Sequence, residues 1–135
     1  MIALDSSFLI GYYNERDAHH RAARSAMEDF LEGKWGQGLL LEYVFWEVVT
    51  VLLVRRDLDV ARRVGRLLLS ARELEFVPCS DLFVDALDFF TSQKQTRLSF
   101  ADAALAVAAL TRAGGQILTF DQGFGKVEGL GVLPE

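Results

Sequence analysis

Four acidic residues stand where carboxylates could act together. Asp5 and Asp121 each follow a short apolar segment that is typical of a buried strand. Glu47 is the only charged residue in the stretch from Tyr43 to Val54, and Asp102 precedes an unbroken run of small and apolar residues. Because an ionised carboxylate in apolar surroundings is costly unless it is paired or binds a cation, this pattern predicts a shared acidic site.

Such a group of acids indicates metal chemistry. Carboxylates that lie close together repel one another, and one or more of them would retain a proton unless a cation were bound. The pattern includes no His or Cys, so the expected cofactor is a hard ion with oxygen ligands, Mg²⁺ (or Mn²⁺), as one ion or two. A site of this kind suits phosphodiester hydrolysis, because a bound ion activates water and stabilises charge on the leaving oxygen.

Short apolar segments alternate with helical stretches along the chain. This alternation predicts βαβ units and an α/β domain with a mostly parallel sheet of four to five strands. Predicted strands cover residues 2–4, 39–41, 75–77, 116–120 and, as the fifth candidate, 131–133. Predicted helices cover residues 6–13, 19–31, 43–54, 57–70, 80–92 and 99–113.

These elements bring the four acids to one place. In an open parallel sheet, strands end and the following helices begin at the same edge, and ligands bind in the crevice there. Asp5 and Asp121 end strands, whereas Glu47 and Asp102 fall in the first turns of helices. All four are therefore expected at one sheet edge. The helix that carries Glu47 is apolar nearly all round, so we expect that helix and its acid to be buried.

Composition limits the class of protein. The chain has 135 residues, 51% of them apolar, which fits a single domain over residues 1–135 with a well-packed core. Its net charge of −5 argues against a nucleic-acid partner, but setting aside four acids that a cation would neutralise leaves only −1. No apolar run reaches the ~18 residues of a membrane span, and the N-terminus lacks the pattern of a signal peptide. With Cys79 as the only cysteine, a cytoplasmic protein is expected.

Four segments carry a resemblance to a known family. They are residues 2–10 (IALDSSFLI), 44–50 (VFWEVVT), 98–106 (LSFADAALA) and 117–124 (ILTFDQGF). In order and spacing they resemble the PIN-domain ribonucleases and, within them, the VapC-like toxins. By motif, Asp5, Glu47, Asp102 and Asp121 match the family's acidic tetrad of catalytic and metal-binding residues. Ser6 and Ser99 match its supporting hydroxyl residues.

The resemblance implies a three-layer PIN-like domain that acts as a metal-dependent endoribonuclease, the toxin of a type II toxin–antitoxin pair. It also implies an RNA substrate, cleavage that leaves a 5′-phosphate and a 3′-hydroxyl, a small antitoxin protein that blocks the site, and a homodimer. Two positions depart from the pattern. Trp46 is bulky beside the glutamate, and Gln122 stands where some relatives have a further acid, which leaves a second metal position open.

Several assignments have alternatives. A metal-dependent phosphatase with an aspartyl nucleophile would need a second Asp where Ser7 stands, and a catalytically idle PIN-like interaction module would not need intact acids. Glu42 rivals Glu47, because it directly follows the second strand. Asp121 could cap the turn before Gly123 instead of binding metal. The Ser99–Asp102 spacing resembles a capping box, which is compatible with metal binding.

Other charged residues have weaker patterns. Arg55, Arg56, Arg62 and Arg66 lie in one basic stretch, which predicts either contact with RNA or a protein partner, or a plain solvated face. The adjacent pair His19 and His20 is expected to be structural, because neighbouring helical residues point in different directions. The acids at residues 81, 85 and 88 are expected to form the solvated face of a helix.

Overall fold

A computed structural model of the chain describes residues 1–135 and has one five-stranded sheet. All neighbouring strands are parallel, in the order β3-β2-β1-β4-β5. The strands are β1 (Ile2–Leu4), β2 (Gly38–Leu41), β3 (Leu74–Val77), β4 (Gln116–Leu118) and β5 (Gly131–Leu133). The helices are α1 (Ser6–Tyr13), α2 (His20–Leu31), α3 (Glu42–Arg55), α4 (Leu58–Ser70), α5 (Phe83–Thr91) and α6 (Phe100–Arg112). The predicted α/β class with a parallel sheet is confirmed.

The helices cover the sheet on both faces. Every residue of β1 and β2 is buried, as expected for parallel strands between helical layers. Helices α1 to α4 pack on one another, and α5 packs on α6. The chain moves from β1 through β2 to β3 in one direction and then returns past β1 to β4. Right-handed crossovers therefore place the two groups of helices on opposite faces, which gives three layers.

The strand order reverses between β1 and β4. Leu4 pairs with Leu118 at the carboxyl ends of these strands, and the Asp5 amide donates to the Leu118 carbonyl at 3.0 Å. In open α/β sheets, the crevice outside the carboxyl ends of strands at such a reversal is the usual ligand site. The residues that follow β1 and β4 consequently lie side by side at this crevice.

The structure corrects the sequence analysis at three places. Strand β4 ends at Leu118 rather than at residue 120. The Thr119 amide still donates to the Leu133 carbonyl of β5, but the amides of Phe120 and Asp121 donate to the side-chain oxygens of Ser7 and Thr119. A short 3₁₀ turn, Cys79–Leu82, precedes α5. The expectation that α3 is buried all round is wrong, since Trp46 and Val54 are 65% and 77% exposed. No helix in the chain is both long and apolar enough to cross a bilayer.

The turn after α6 depends on two glycines with different surroundings. Gly114 and Gly115 have φ values of +59° and +79°, and a Cβ atom at Gly115 would collide with the Gly129 carbonyl oxygen. No atom lies within 4 Å of a Cβ atom at Gly114. Gly114→Ala should cost about 1–2 kcal/mol of unfolding free energy for the left-handed backbone alone. Gly115→Ala should cost roughly 3 kcal/mol or more, because overpacking adds to that strain.

Urea denaturation of the two variants beside the unmodified protein measures this difference. Equal losses of unfolding free energy would contradict the role assigned to the close approach of Gly115 to Gly129.

Candidate active site

Asp5 is buried and held by hydrogen bonds at the end of β1. It is only 4% exposed. Its Oδ1 accepts from the Ser6 amide at 2.8 Å, so Asp5 caps α1, while its Oδ2 accepts from Ser7 Oγ at 2.8 Å and from Thr119 Oγ1 at 2.6 Å. Burial raises the pKa of Asp5, these hydrogen bonds oppose the rise, and the Asp121 carboxylate adds to it. The Asp5 carboxylate is therefore fixed in position, but its hydrogen bonds only partly offset the hydration lost on burial.

Asp121 follows β4 and faces Asp5 through shared hydroxyl groups. Its amide donates to Thr119 Oγ1 at 2.9 Å, and the neighbouring Phe120 amide donates to Ser7 Oγ at 2.9 Å. Asp121 Oδ1 accepts from the Gly123 amide at 2.8 Å and caps the 3₁₀ turn Gln122–Lys126. Asp121 thus has the capping role considered above, yet its Oδ2 has no hydrogen-bond partner in the chain and remains available to a cation.

Asp102 lies in the first turn of α6. Ser99 caps this helix, because its Oγ accepts from the Asp102 amide at 3.1 Å. The Asp102 carboxylate forms no salt bridge, and Ser99 is the only side chain that offsets the rise in its pKa. Burial, followed by the carboxylates of Asp5 and Asp121, raises the pKa of Asp102 to about 6. The charge of Asp102 therefore changes near pH 6.

Glu47 and Glu42 both lie on α3 but point to different places. Glu47 lines the same cleft as Asp5, Asp102 and Asp121, whereas the Glu42 side chain accepts from the Cys79 amide at 3.2 Å. The structure therefore brings Glu47 and not Glu42 to the other acids. Glu47 is exposed rather than buried, so the expectation that this acid is buried is wrong, and its carboxylate adds to the rise in the pKa of Asp102.

The four acids line one polar cleft of about 280 Å³ at the carboxyl edge of the sheet. Its lining comprises Asp5, Ser6, Ser7, Ile10, Asp17, His19, Glu47, Val51, Arg55, Asp102 and Asp121. Asp17 and His19 were not predicted to belong to this site. Asp17 lies between the predicted helices 6–13 and 19–31, and Arg55 Nη1 lies 3.9 Å from Asp17 Oδ2. His19 stacks on Phe120 with ring centroids 4.5 Å apart. This contact holds it in the cleft, and no sequence motif marks it.

The hydroxyl groups that hold Asp5 were also identified only in part. The Ser6 amide contacts Asp5, but the hydroxyl contacts come from Ser7 and Thr119. The sequence offered one signal for Thr119, since it lies within the segment 117–124 that precedes and includes Asp121. The buried Tyr43 hydroxyl is the one buried side-chain polar group without a hydrogen-bond partner. Burial and, next, the carboxylates of Asp5 and Asp102 raise the pKa of Tyr43, which leaves it a neutral donor.

The donor set of the cleft fits a hard divalent cation. None of the four acids takes part in a salt bridge within the chain, so no protein cation neutralises them. No three His, Cys, Asp or Glu side chains converge tightly enough to enclose an ion by themselves. Mg²⁺ usually takes one or two carboxylates and completes its shell with water and substrate oxygens. Asp102, Glu47, Asp121 Oδ2 and Asp5 Oδ1, which accepts a single hydrogen bond, are the donors available for that arrangement.

The structure separates the basic residues that sequence analysis grouped. Arg55 alone lines the acidic cleft, and Arg56 Nη1 lies 3.5 Å from Asn14 Oδ1. Arg62 and Arg66 line a separate surface hollow on α4, and Arg62 pairs with Asp59 at 3.3 Å. Of the two histidines, His20 has a structural contact with the Gly11 carbonyl at 2.9 Å. The acids at residues 81, 85 and 88 are exposed, as expected.

The raised pKa of Asp102 predicts a pH dependence of stability without divalent ions. The folded state retains a proton to about pH 6, whereas the unfolded state releases it near 3.8. The stabilisation is therefore complete below the unfolded pKa and is lost as the pH rises through about 6. The unmodified protein should lose unfolding free energy relative to Asp102→Asn between pH 5 and pH 7.5.

Denaturation of both proteins in EDTA at these two pH values measures the effect. Parallel pH dependence in the two proteins would contradict the raised pKa.

Comparison with known proteins places this geometry in a family. The PIN domain family matches residues 2–130, and no curated protein matches the sequence. Among solved structures, the chain is similar to the Mycobacterium tuberculosis VapC20 toxin, described as cleaving the sarcin–ricin loop. The two share 19% identity and a TM-score of 0.83 over 96% of this chain and 97% of that chain.

A second similar structure is a toxin–antitoxin complex from Klebsiella pneumoniae. It has 19% identity and a TM-score of 0.67, over 99% of this chain and 97% of that chain. At this level of identity the likeness concerns the fold, whereas the family match extends over nearly the whole sequence. The predicted family is confirmed: the chain belongs to the PIN domain family.

Proposed function

We propose that this protein is a Mg²⁺- or Mn²⁺-dependent endoribonuclease. The observation that carries the proposal is the cleft itself. Asp5, Glu47, Asp102 and Asp121 line it, and no protein cation is paired with any of them. Carboxylates in this setting require a bound cation to stay ionised together at neutral pH. A divalent cation among carboxylates at a sheet edge is suited to phosphodiester hydrolysis.

Each acid has a distinct part in this proposal. Asp102, Glu47 and Asp121 Oδ2 would hold the ion. A bound ion acts as a Lewis acid and lowers the pKa of a water molecule that it binds. Asp5 is fixed by three hydrogen bonds, so it would offer its carboxylate to the ion at a set position. Because the pKa of Asp102 is raised, binding of the cation is coupled to loss of the Asp102 proton. We therefore expect metal affinity to rise with pH up to about 7.

The phosphatase alternative is less well supported. Both oxygens of Asp5 accept hydrogen bonds, which lowers the nucleophilicity of this carboxylate. Ser7 stands where that mechanism would place a second acid, and its hydroxyl is bonded to Asp5 and to the Phe120 amide. Ser7 therefore has a structural role. The fold that this chain shares with an RNA-cleaving toxin favours RNA as the substrate.

RNA cleavage should depend on the cation and on Asp102. We expect the purified protein to cleave single-stranded or structured RNA with Mn²⁺ and not with EDTA. Asp102→Asn should lower the rate on the order of 100-fold, because it removes charge that holds the ion at the reacting phosphate.

Asp85→Asn is the matched control, since Asp85 is an exposed acid of α5 outside the cleft, and it should cleave at the unmodified rate. Intact RNA under every condition, together with hydrolysis of a small phosphoester, would instead support the phosphatase.

We propose further that the enzyme is the toxin of a type II toxin–antitoxin pair in the cytoplasm, and that it forms a homodimer. The similarity in fold to a toxin and to a toxin–antitoxin complex supports the first part. Apolar side chains left exposed on α3 and α5 support protein partners, since large exposed apolar areas commonly mark interfaces. They include Trp46, Leu53, Val54, Phe83, Val84, Leu87 and Phe90.

An antitoxin should silence the nuclease. A short reading frame immediately upstream is expected to encode it, and its product, added in equimolar amount, should abolish Mn²⁺-dependent RNA cleavage. Size-exclusion chromatography with light scattering measures both the complex and the expected homodimer. Undiminished cleavage in the presence of a bound upstream product would contradict the antitoxin assignment.

A further inference from the structure

A second polar cavity adjoins the acidic cleft and shares two of its acids. Asp102 and Asp121 line both spaces. The second cavity has a volume of about 520 Å³, which lies within the range of small-molecule and ligand sites. Its remaining wall comes from the loop between α5 and α6 and from the 3₁₀ turn after β4. The polar residues of that wall are Gln95, Thr96, Arg97, Gln122 and Lys126.

The charges of this second cavity differ from those of the cleft. Arg97 and Lys126 are both exposed, and neither forms a salt bridge or a side-chain hydrogen bond in the chain. Two unpaired cations therefore lie directly beside two carboxylates. Planar Arg groups bind phosphate oxygens in a bidentate manner, and Lys adds a compact positive charge. The cavity is suited to an anionic ligand with polar oxygens.

The two segments that carry these cations are held in place by side chains. Gln93 Oε1 accepts from Thr96 Oγ1 and from the Leu98 amide, both at 2.8 Å. Gln93 Nε2 donates to the Leu98 carbonyl at 3.1 Å, so one side chain closes the loop that presents Arg97. On the other wall, Asp121 caps the turn that ends at Lys126. The cations are thus presented by preorganised backbone, which lowers the entropic cost of binding.

We propose that this cavity binds the RNA strand through a phosphate next to the one that is cleaved, with Arg97 as its main contact and Lys126 as its second. The inference rests on the proposed ribonuclease function. A strand that brings a phosphodiester to Asp102 and Asp121 must pass the cavity that shares these acids, or leave by the end that bears His19 and Arg55. Because the acids repel the strand, flanking cations are needed to hold it. An acidic segment of a protein partner has the same sign of charge as RNA, but no contact in this cavity would align such a segment with Asp102 and Asp121.

The test combines RNA binding without cleavage and steady-state kinetics. A fluorescently labelled single-stranded RNA is titrated in EDTA, and its cleavage is then followed in Mn²⁺. Arg97→Ala should weaken binding and raise KM roughly tenfold, with kcat changed much less, because a phosphate contact away from the reacting bond is lost. The double variant Arg97→Ala/Lys126→Ala should lower the slope of log affinity against log salt by about 1.4, or ~0.7 for each lost contact.

Arg112→Ala is the matched control, since it removes one exposed arginine from the last turn of α6, at the opposite end of that helix from Asp102, and should change neither KM nor the salt slope. RNA binding by the double variant equal to that of the unmodified protein would overturn the inference, even if RNA is cleaved. So would an unmodified protein that binds no RNA. Lost affinity for the antitoxin with intact RNA binding would overturn it in favour of a protein-docking site. If RNA binds through Arg97 but is never cleaved, the inference stands and the proposed ribonuclease function fails.

Discussion

The hydrogen bond from Thr119 Oγ1 to Asp5 Oδ2, 2.6 Å long, joins the ends of the two strands on which the site depends. Together with Ser7 it fixes the first acid, ends β4 and orients the Asp121 amide. A buried carboxylate is tolerated only when such donors compensate its lost hydration. The same donors fix its oxygens in place. In the proposed function, Asp5 is therefore the acid at a set position, and the other three acids hold the ion beside it.

The distribution of charge around the cleft, rather than the net charge of the chain, indicates which partners could approach this edge of the sheet. The chain is acidic overall, with a net charge of −5, and its cleft concentrates acids further. Cations border that cleft at both ends, with Arg55 on one side and Arg97 with Lys126 on the other. In the proposed function, an arrangement of this kind would attract a polyanion to the borders, and the metal ion would lie at the centre. Net charge is a poor guide to such partners, because association responds to the field near the site.

The sequence sufficed for the elements and for the meeting of the acids. Strand and helix boundaries follow from apolar periodicity and glycine stops, and the placement of Asp5 and Asp121 follows from the rule for parallel sheets. Burial was harder to predict. An apolar helix was taken to be covered, but Trp46 and Val54 are exposed on α3. Composition alone does not distinguish a core face from an apolar face reserved for a partner chain.

Contacts between distant side chains were beyond sequence reasoning. Nothing in the local pattern marks Ser7 rather than Ser6 as the hydroxyl that bonds Asp5. Nothing marks His19, which reaches the cleft by stacking on Phe120. Arg97 also carries no motif, and its loop is organised by the hydrogen bonds of Gln93. Such contacts depend on rotamers and on loop closure, which neighbours in space determine and neighbours in sequence do not.

Because β1 lies between two strands that follow it in the sequence, the cleft depends on segments that are synthesised after β1. Strand β1 is translated before both of its neighbours, β2 and β4, and β4 begins only at Gln116. Until Thr119 has been translated, Asp5 lacks one of its two hydroxyl donors, and Asp121 has not been made. A nascent or truncated chain that stops short of β4 therefore has no complete cleft. Any activity that depends on the cleft must begin only after Asp121 has been translated.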